Sequence, residues 1–295
     1  MRAVAVTLFE GNYHLGAAGL INSLHTAGFT GTFVCGYRGA IPPWADRTLP
    51  FEVKFLPLTV STHLTNYKPT FLQQCLREFG LQAEQLYYFD PDIVVKAPWS
   101  TLERWASDGL AIVEDVNAYL PTRHPYRLAW ADFFAHHKLP VRRSIDRYFN
   151  AGFFGLPRAH LEFLTVWQRL LDLAAATNGG ERLKHGQPHT LFHSADQDAM
   201  NMALMLSDIP INSAGPEAMD FTPGGHLLSH AAGGTKPWRG GFLRAALAGR
   251  PPSAPQKAFF HYVDSPIPVF SPSALKILKL ELACAAAIGR FYRRN

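Results

Sequence analysis

The residues with the clearest chemical content sit in one short segment, Leu86-Tyr87-Tyr88-Phe89-Asp90-Pro91-Asp92-Ile93-Val94-Val95. Two carboxylates stand two residues apart at the end of a hydrophobic run. In an extended chain, residues i and i+2 project to the same side, so Asp90 and Asp92 can converge on one cation. Carboxylate oxygens suit Mg²⁺ or Mn²⁺, and such ions usually bridge a protein acid to the phosphates of a substrate. The plainer reading is a strand ending in a turn with two solvated acids, and an Asp-x-Asp alone does not separate the two.

Three later blocks add other chemistry: Tyr148-Phe149-Asn150-Ala151-Gly152-Phe153, Ala195-Asp196-Gln197-Asp198-Ala199-Met200-Asn201, and His230-Ala231-Ala232-Gly233-Gly234-Thr235-Lys236-Pro237-Trp238. The last reads H-x-x-G-x-x-K-P-W and supplies an imidazole and an ammonium. By itself His230 reads as an ordinary loop histidine, and Asn150-Ala151-Gly152 as a turn.

These groups need a scaffold. The chain has 295 residues, 47% hydrophobic, 13% aromatic and 17% charged, which excludes a disordered protein. That length predicts one large domain with at most a small appendage. The run Ala3–Phe9 reads as a buried strand, 17–27 as a helix stopped by Gly28, 32–35 and 53–56 as strands, 70–79 as a helix and 86–89 as another buried strand. The alternation predicts an α/β protein with a mainly parallel central sheet. Beyond Asp115 the pattern loosens. Helices are expected over 161–175 and 195–206, a loop over 178–193, and loop-rich chain over 211–270. A final helix starts at Ser271-Pro272, a residue that can cap followed by a proline tolerated in the first turn. The division expected is therefore a main domain over 1–270 and a C-terminal amphipathic basic helix over 271–295. Its stripe is Leu275, Leu278, Leu282, Ala285 and Tyr292, with Lys276, Lys279, Arg290, Arg293 and Arg294 around it. Such a helix can dock on the protein body or lie on an anionic membrane surface.

The formal charge of +5 and pI near 9.1 invite an anionic partner. No zinc-finger spacing, RNP-like motif or long Lys/Arg run points to nucleic acid. Cys35, Cys75 and Cys284 are widely spaced, which suggests neither a disulfide framework nor a zinc site. No run approaches the roughly 18 apolar residues of a membrane span, and the apolar start is too short for a signal peptide. Together these predict a cytoplasmic chain, with the tail helix as a means of attachment to the inner face of a membrane.

In this order, after a strand-borne Asp-x-Asp, the blocks resemble the GT-A-fold glycosyltransferases of family 8, a family of retaining galactosyl- and glucosyltransferases that includes glycogenin. Glu10-Gly11-Asn12-Tyr13, followed by a helix, is similar to that family's opening, and the likeness runs from about residue 3 to residue 240. The resemblance implies a Rossmann-like nucleotide-diphospho-sugar transferase domain that moves a hexose, galactose or glucose, from a UDP-sugar to a hydroxyl acceptor such as a glycan or glycolipid precursor, with retention. It implies Asp90, Asp92 and His230 as ligands of Mn²⁺ or Mg²⁺, Lys236 and Gly233 at the donor diphosphate, and Asn150, Ala151 and Gly152 beside the donor sugar. It further implies Asp196 and Gln197 as the catalytic pair at the sugar hydroxyls and anomeric carbon, with Asn12, Tyr13, Lys68 and Asp115 as additional donor contacts. The chemistry is coherent: a divalent ion and a lysine neutralise a departing diphosphate, and an amide or carboxylate stabilises an oxocarbenium-like centre. One departure stands out. The family usually has Asp just before its Asn-Tyr, where this chain has Glu10 and Gly11.

Two rival classes remain open. Phe89-Asp90-Pro91-Asp92-Ile93-Val94 also fits the start of haloacid-dehalogenase-type phosphatases, which place their nucleophilic Asp on the first strand. A non-catalytic nucleotide-sugar-binding relative is the other. His185, His189 and His193 have i, i+4 spacing, but Gly186 and Pro188 break the helix a metal face would need. The basic run Arg123, Arg127, Lys138, Arg142, Arg143 and Arg147 is expected either to be a solvated face or to meet an anionic acceptor.

Overall fold

Strand β1 (Ala3–Glu10) is apolar along its length because both its faces are covered: Val4, Val6 and Leu8 enter one cluster, Ala3, Ala5 and Phe9 the other. The computed structural model describes residues 3–79, 82–116, 119–177 and 191–291. His185, His189, Tyr292, Arg293 and Arg294 lie outside the described residues. After β1 the chain runs through α1 (His14–Ala27), β2 (Thr32–Arg38), β3 (Glu52–Pro57), α2 (Lys68–Phe79), β4 (Gln85–Phe89), β5 (Ile93–Val95), α3 (Trp99–Trp105) and β6 (Leu110–Glu114). It continues with α4 (Pro125–His136), β7 (Phe149–Pro157), α5 (Glu162–Thr177), α6 (Ala195–Met205), β8 (Ile211–Ala214), β9 (Leu228–His230), α7 (Phe242–Leu247), α8 (Ala254–Phe259) and α9 (Pro272–Gly289).

The described residues form a seven-stranded sheet in the order β3-β2-β1-β4-β7-β6-β8, and β5 pairs with β9 in a two-stranded ribbon. Within the large sheet every pairing is parallel except those of β7. Helices cover both faces, as an all-buried, mainly parallel sheet requires. The reversal of β7 decides where the site lies. Parallel strands collect ligands at their C-terminal ends. An antiparallel strand threaded between them must begin at that same edge, so Phe149 pairs Glu114 at the end of β6, and Phe153 pairs Phe89 at the end of β4.

The sequence expectations hold for the first half, with α1 and α2 starting a few residues early. Three regions differ. The basic, aromatic stretch after Asp115 contains α4, capped by His124 Nδ1, which accepts from Tyr126 N at 3.2 Å, and buried along Arg127, Trp130, Phe133 and Phe134. Asn150-Ala151-Gly152 belongs to β7 rather than to a turn. The 211–270 stretch holds β8, β9, α7 and α8, each of three to six residues and too short to show a period.

Ser271 caps α9 as expected, accepting from Ala274 N at 3.3 Å. Leu275, Leu278 and Leu282 pack against the β1–α1 side of the core and Ala285 is fully buried. A second apolar row, Ile277, Leu280, Cys284, Ala287 and Phe291, follows the same three-four spacing on the outward side, with Ile277 and Leu280 about two-thirds exposed at 68% and 66%.

Asn22 in α1 ties this C-terminal third to the sheet. Its fully buried amide donates to Tyr262 O (2.7 Å) and Ile267 O (2.8 Å) and accepts from Ile267 N (2.8 Å). Truncation strands three backbone groups, so Asn22→Ala is expected to cost about 3 kcal/mol. Urea denaturation should show a lowered midpoint with an unchanged m-value; an unaltered midpoint would mean that the loop holds without this anchor.

Candidate functional site

The chain leaves β4 at Phe89 and turns at once. Asp90 N donates to Gly152 O at 2.7 Å, and Ile93 N closes a tight turn onto Asp90 O at 3.1 Å. Asp90 and Asp92 therefore converge across a turn, not along an extended strand as their spacing alone suggests. The turn feeds β5, whose pairing with β9 sets Ile93 opposite His230, while Ala231 N donates to Asp92 O at 3.0 Å. The result brings together Asp92 Oδ1 and His230 Nε2 at 3.2 Å and Asp90 Oδ2 and His230 Nε2 at 3.8 Å. One ligand atom from each of the three residues lies within 4.8 Å of the others.

Two lysines hold the remaining carboxylate oxygens. Lys68, in the first turn of α2 and 1% exposed, directs Nζ to Asp90 Oδ1 (3.2 Å), Asp196 Oδ2 (3.0 Å) and Ala151 O (2.9 Å), over the Tyr88 ring at 4.8 Å. Tyr88 donates its hydroxyl to the same Asp90 oxygen at 2.8 Å. Lys236 Nζ lies 2.5 Å from Asp92 Oδ2 and 2.8 Å from Ala231 O. Burial disfavours charge on Asp92, but His230 and Lys236 outweigh it and hold the carboxyl well below the usual carboxylate range. Burial likewise opposes the Lys68 ammonium, and Asp196 and Asp90 more than compensate, raising its pKa. The other oxygen of each aspartate, with the imidazole, makes a mixed oxygen–nitrogen donor set that fits a divalent cation. Gly152 leaves room for it: a Cβ there would come within 2.5 Å of His230 Cε1 and 2.9 Å of Asp90 Oδ2.

The triad stands between two cavities. One, of about 310 Å³, is walled by Phe9, Glu10, Tyr13, His63 and Thr65 at one end and by Asp92, His230, Gly233 and Lys236 at the other. The second, of about 670 Å³, is lined by Asp115, Asn150, Ala151, Gly152, Asp196 and Gln197, and shares Thr65, Asp90 and Gly233 with the first. Of the residues marked out in the sequence, Tyr13, Lys68, Asp115, Asn150, Ala151, Gly152, Asp196, Gln197, Gly233 and Lys236 all border these cavities. Asn12 does not; it is exposed in the short 3-10 turn before α1.

Inside the larger cavity the amides are fixed. Asp115 Oδ2 accepts from Asn150 Nδ2 (2.7 Å) and Gln197 Nε2 (3.1 Å), Gln197 Oε1 accepts from Ala151 N (3.0 Å), and Asn150 Oδ1 from Gly152 N (2.8 Å). Asn201, fully buried, bonds Phe149 through both N–H and C=O and locks α6 to β7. Sequence reading passed over Tyr88 and Asn201, although strand alternation puts Tyr88 on the face of Asp90 and helical spacing puts Asn201 below Gln197. His63 and Thr65 carried no signal. Within the basic run Arg127 is buried and bonds Leu120 O and Arg147 O, and half-buried Arg143 bonds Leu204 O and Ile209 O, while Arg123, Lys138, Arg142 and Arg147 are exposed as a solvated face would have them, Arg147 pairing with Glu114.

No family model and no curated protein matches the chain. Among solved structures, the apo structure of the bifunctional glycosyltransferase WbbM aligns with a TM-score of 0.55 at 15% identity, covering 94% of this chain and 51% of that one. This chain adopts the GT-A glycosyltransferase fold. It spans about half the length of WbbM, and at this identity the likeness is one of fold alone.

Two measurements follow. Gly152→Ala should weaken Mn²⁺ binding by at least about tenfold in calorimetric titration, since the new methyl displaces His230 or Asp90; unchanged affinity would remove these three residues as ligands. Burial pushes the Asp198 carboxyl up to about 6, against the Tyr148 hydroxyl and Ser194 N–H that favour its charge. The folded state thus binds a proton more readily than the unfolded chain, whose Asp titrates near pH 3.9, so this group withdraws stability as pH rises from about 4 to 6. Across that window the stability of Asp198→Asn should rise relative to wild type, and a constant difference would contradict the shift.

Proposed function

We propose that the chain is a family-8-like hexosyltransferase that moves galactose or glucose from a UDP-sugar to a hydroxyl of a glycan or glycolipid precursor, with retention. The observation that carries this reading is the Asp90–Asp92–His230 cluster at the junction of the two cavities, one sized and lined for a nucleoside and the other bordered by amides and carboxylates suited to a sugar. When bound, Mn²⁺ or Mg²⁺ supplies charge neutralisation to the diphosphate, and the imidazole in the donor set favours Mn²⁺. Lys236 and the Gly233 backbone meet the diphosphate. Asn150, Gly152 and Asp196 orient the hexose hydroxyls, and Gln197, its amide clamped between Ala151 and Asp115, forms the wall beside the anomeric carbon. In the transfer the bond from C1 to the phosphate oxygen breaks and the acceptor oxygen bonds C1. The hydroxyl proton passes to the departing nucleoside diphosphate.

The phosphatase reading loses its basis, since Asp90 follows the fourth strand rather than the first and has one oxygen engaged by Lys68 and Tyr88. A non-catalytic binder is separated by turnover. UDP release from UDP-galactose or UDP-glucose should require Mn²⁺ and fall by at least about 100-fold in Lys236→Ala, and NMR of the glycosidic product should show the donor's anomeric configuration. Binding without release would favour the binder.

The reading extends to the tail over 271–295 as an appendage to the 1–270 body. Residues 237–295 carry nine Lys and Arg against two Asp and Glu, whereas 1–236 carry nineteen against twenty-one. The outward apolar row of α9 lies within that basic third, flanked by Lys276, Lys279 and Arg290. Among the described residues no helix is long and apolar enough to cross a membrane, so the combination suits a helix lying in the interface of an anionic leaflet such as the inner face of a membrane, where a glycolipid acceptor is presented. The protein should co-sediment with vesicles containing phosphatidylglycerol but not with pure phosphatidylcholine, and Ile277→Asp with Leu280→Asp should abolish this. Equal sedimentation of the double variant would end the membrane assignment.

A further inference from the structure

We propose that the acceptor is an uncharged sugar, seated at the Tyr126 end of the larger cavity with one ring face against that tyrosine; this rests on the transfer reading above. Beyond the residues that border the donor sugar, the cavity wall continues through Leu120, Tyr126 and Ser194, which have no part in holding a donor. Tyr126 opens α4 and is 43% exposed. Its backbone N–H donates to His124 Nδ1 and its ring lies 5.4 Å from the imidazole. The ring is thus held beside the imidazole while staying partly exposed at the cavity wall. An exposed aromatic face at a polar cavity packs well against the C–H face of a pyranose, while carboxylates accept from its hydroxyls.

The sign of the wall excludes the charged alternative. Asp90, Asp115, Asp196 and Asp198 line the cavity, against His193 and Lys68, and Lys68 is already held between Asp90 and Asp196. None of the basic residues from Arg123 to Arg147 lines it. A phosphorylated or uronic acceptor would bring negative charge to a wall whose one lysine is already paired and which no arginine lines; a neutral sugar meets hydrogen-bond acceptors instead.

The test compares methyl glucoside and methyl galactoside with their 6-phosphates and the matching methyl uronosides as acceptors, using a UDP-hexose and Mn²⁺. The neutral glycoside should show an acceptor KM at least about tenfold below its charged counterparts. Tyr126→Ala should raise that KM by about tenfold or more while the donor KM changes by less than about twofold, and Tyr126→Phe should restore it. A preference for phosphate or uronate, or an acceptor KM indifferent to Tyr126→Ala, overturns the proposal. Saturation-transfer NMR of the same glycosides on the donor-free protein reads the subsite without turnover. Contact with the neutral glycoside that is lost in Tyr126→Ala supports the subsite even if no hexose is transferred, in which case it is the transfer reading that fails; equal or stronger contact with the phosphate counts against it.

Discussion

Two carboxylates facing one imidazole within a 4.8 Å triangle cannot stand without compensation. At that separation the repulsion between unit charges is about 3–4 kcal/mol even at an effective dielectric of 20. The structure answers with one lysine per aspartate, Lys68 on Asp90 and Lys236 on Asp92. Much of the surrounding architecture follows from placing those two cations. Lys68 must be buried under α2 to reach Asp90, and there it also collects Asp196 and the Ala151 carbonyl, so a single ammonium joins β4, β7 and α6. Lys236 must come from far along the chain, which the short β5–β9 ribbon achieves by holding His230 and its following loop against the Asp90–Asp92 turn. Because each lysine takes one carboxylate oxygen, the other oxygens are left turned toward His230, which gives the three residues a shared side on which a cation could bind.

The reversed strand β7 is the second constraint. A wholly parallel sheet would present only strand ends at this edge; β7 instead starts here and lays Asn150, Ala151 and Gly152 beside the triad as backbone with small or amide side chains. Gly152 can approach His230 only because it lacks a Cβ. The hydrogen bonds linking Asp115, Asn150, Gln197 and Ala151 then fix this wall of the larger cavity, the kind of preorganisation on which electrostatic stabilisation depends.

What could be read from the sequence divides along physical lines. The apolar runs of β1 and β4 announced a buried sheet because strands covered on both faces need no alternation. The triad was legible because its residue types are chemically unusual at those positions. The turn that brings Asp90 and Asp92 together was not, since spacing alone cannot distinguish extended chain from a reversal closed by one hydrogen bond. Nor was β7, whose Asn-Ala-Gly start has poor strand propensity and is held by its neighbours on both sides. On α9 the inward stripe was legible, but a helix with two apolar rows needs coordinates to show which row is covered. The basic run is mostly the exposed face its charge suggests, but Arg127 and Arg143 are turned inward onto backbone carbonyls, and charge counted along a sequence does not reveal which cations are engaged.

The central claim is that Asp90, Asp92 and His230 hold a divalent cation jointly with a nucleoside diphosphate. Thermal unfolding of wild type and Asp92→Asn with Mn²⁺ alone, UDP alone and both together tests it most directly. Joint binding at 100 times the dissociation constant stabilises by about 2.7 kcal/mol, a shift of several degrees for a chain of this size. The account predicts that shift in wild type only when Mn²⁺ and UDP are both present, and none in Asp92→Asn. An equal shift with UDP alone, or one retained in Asp92→Asn, would contradict it.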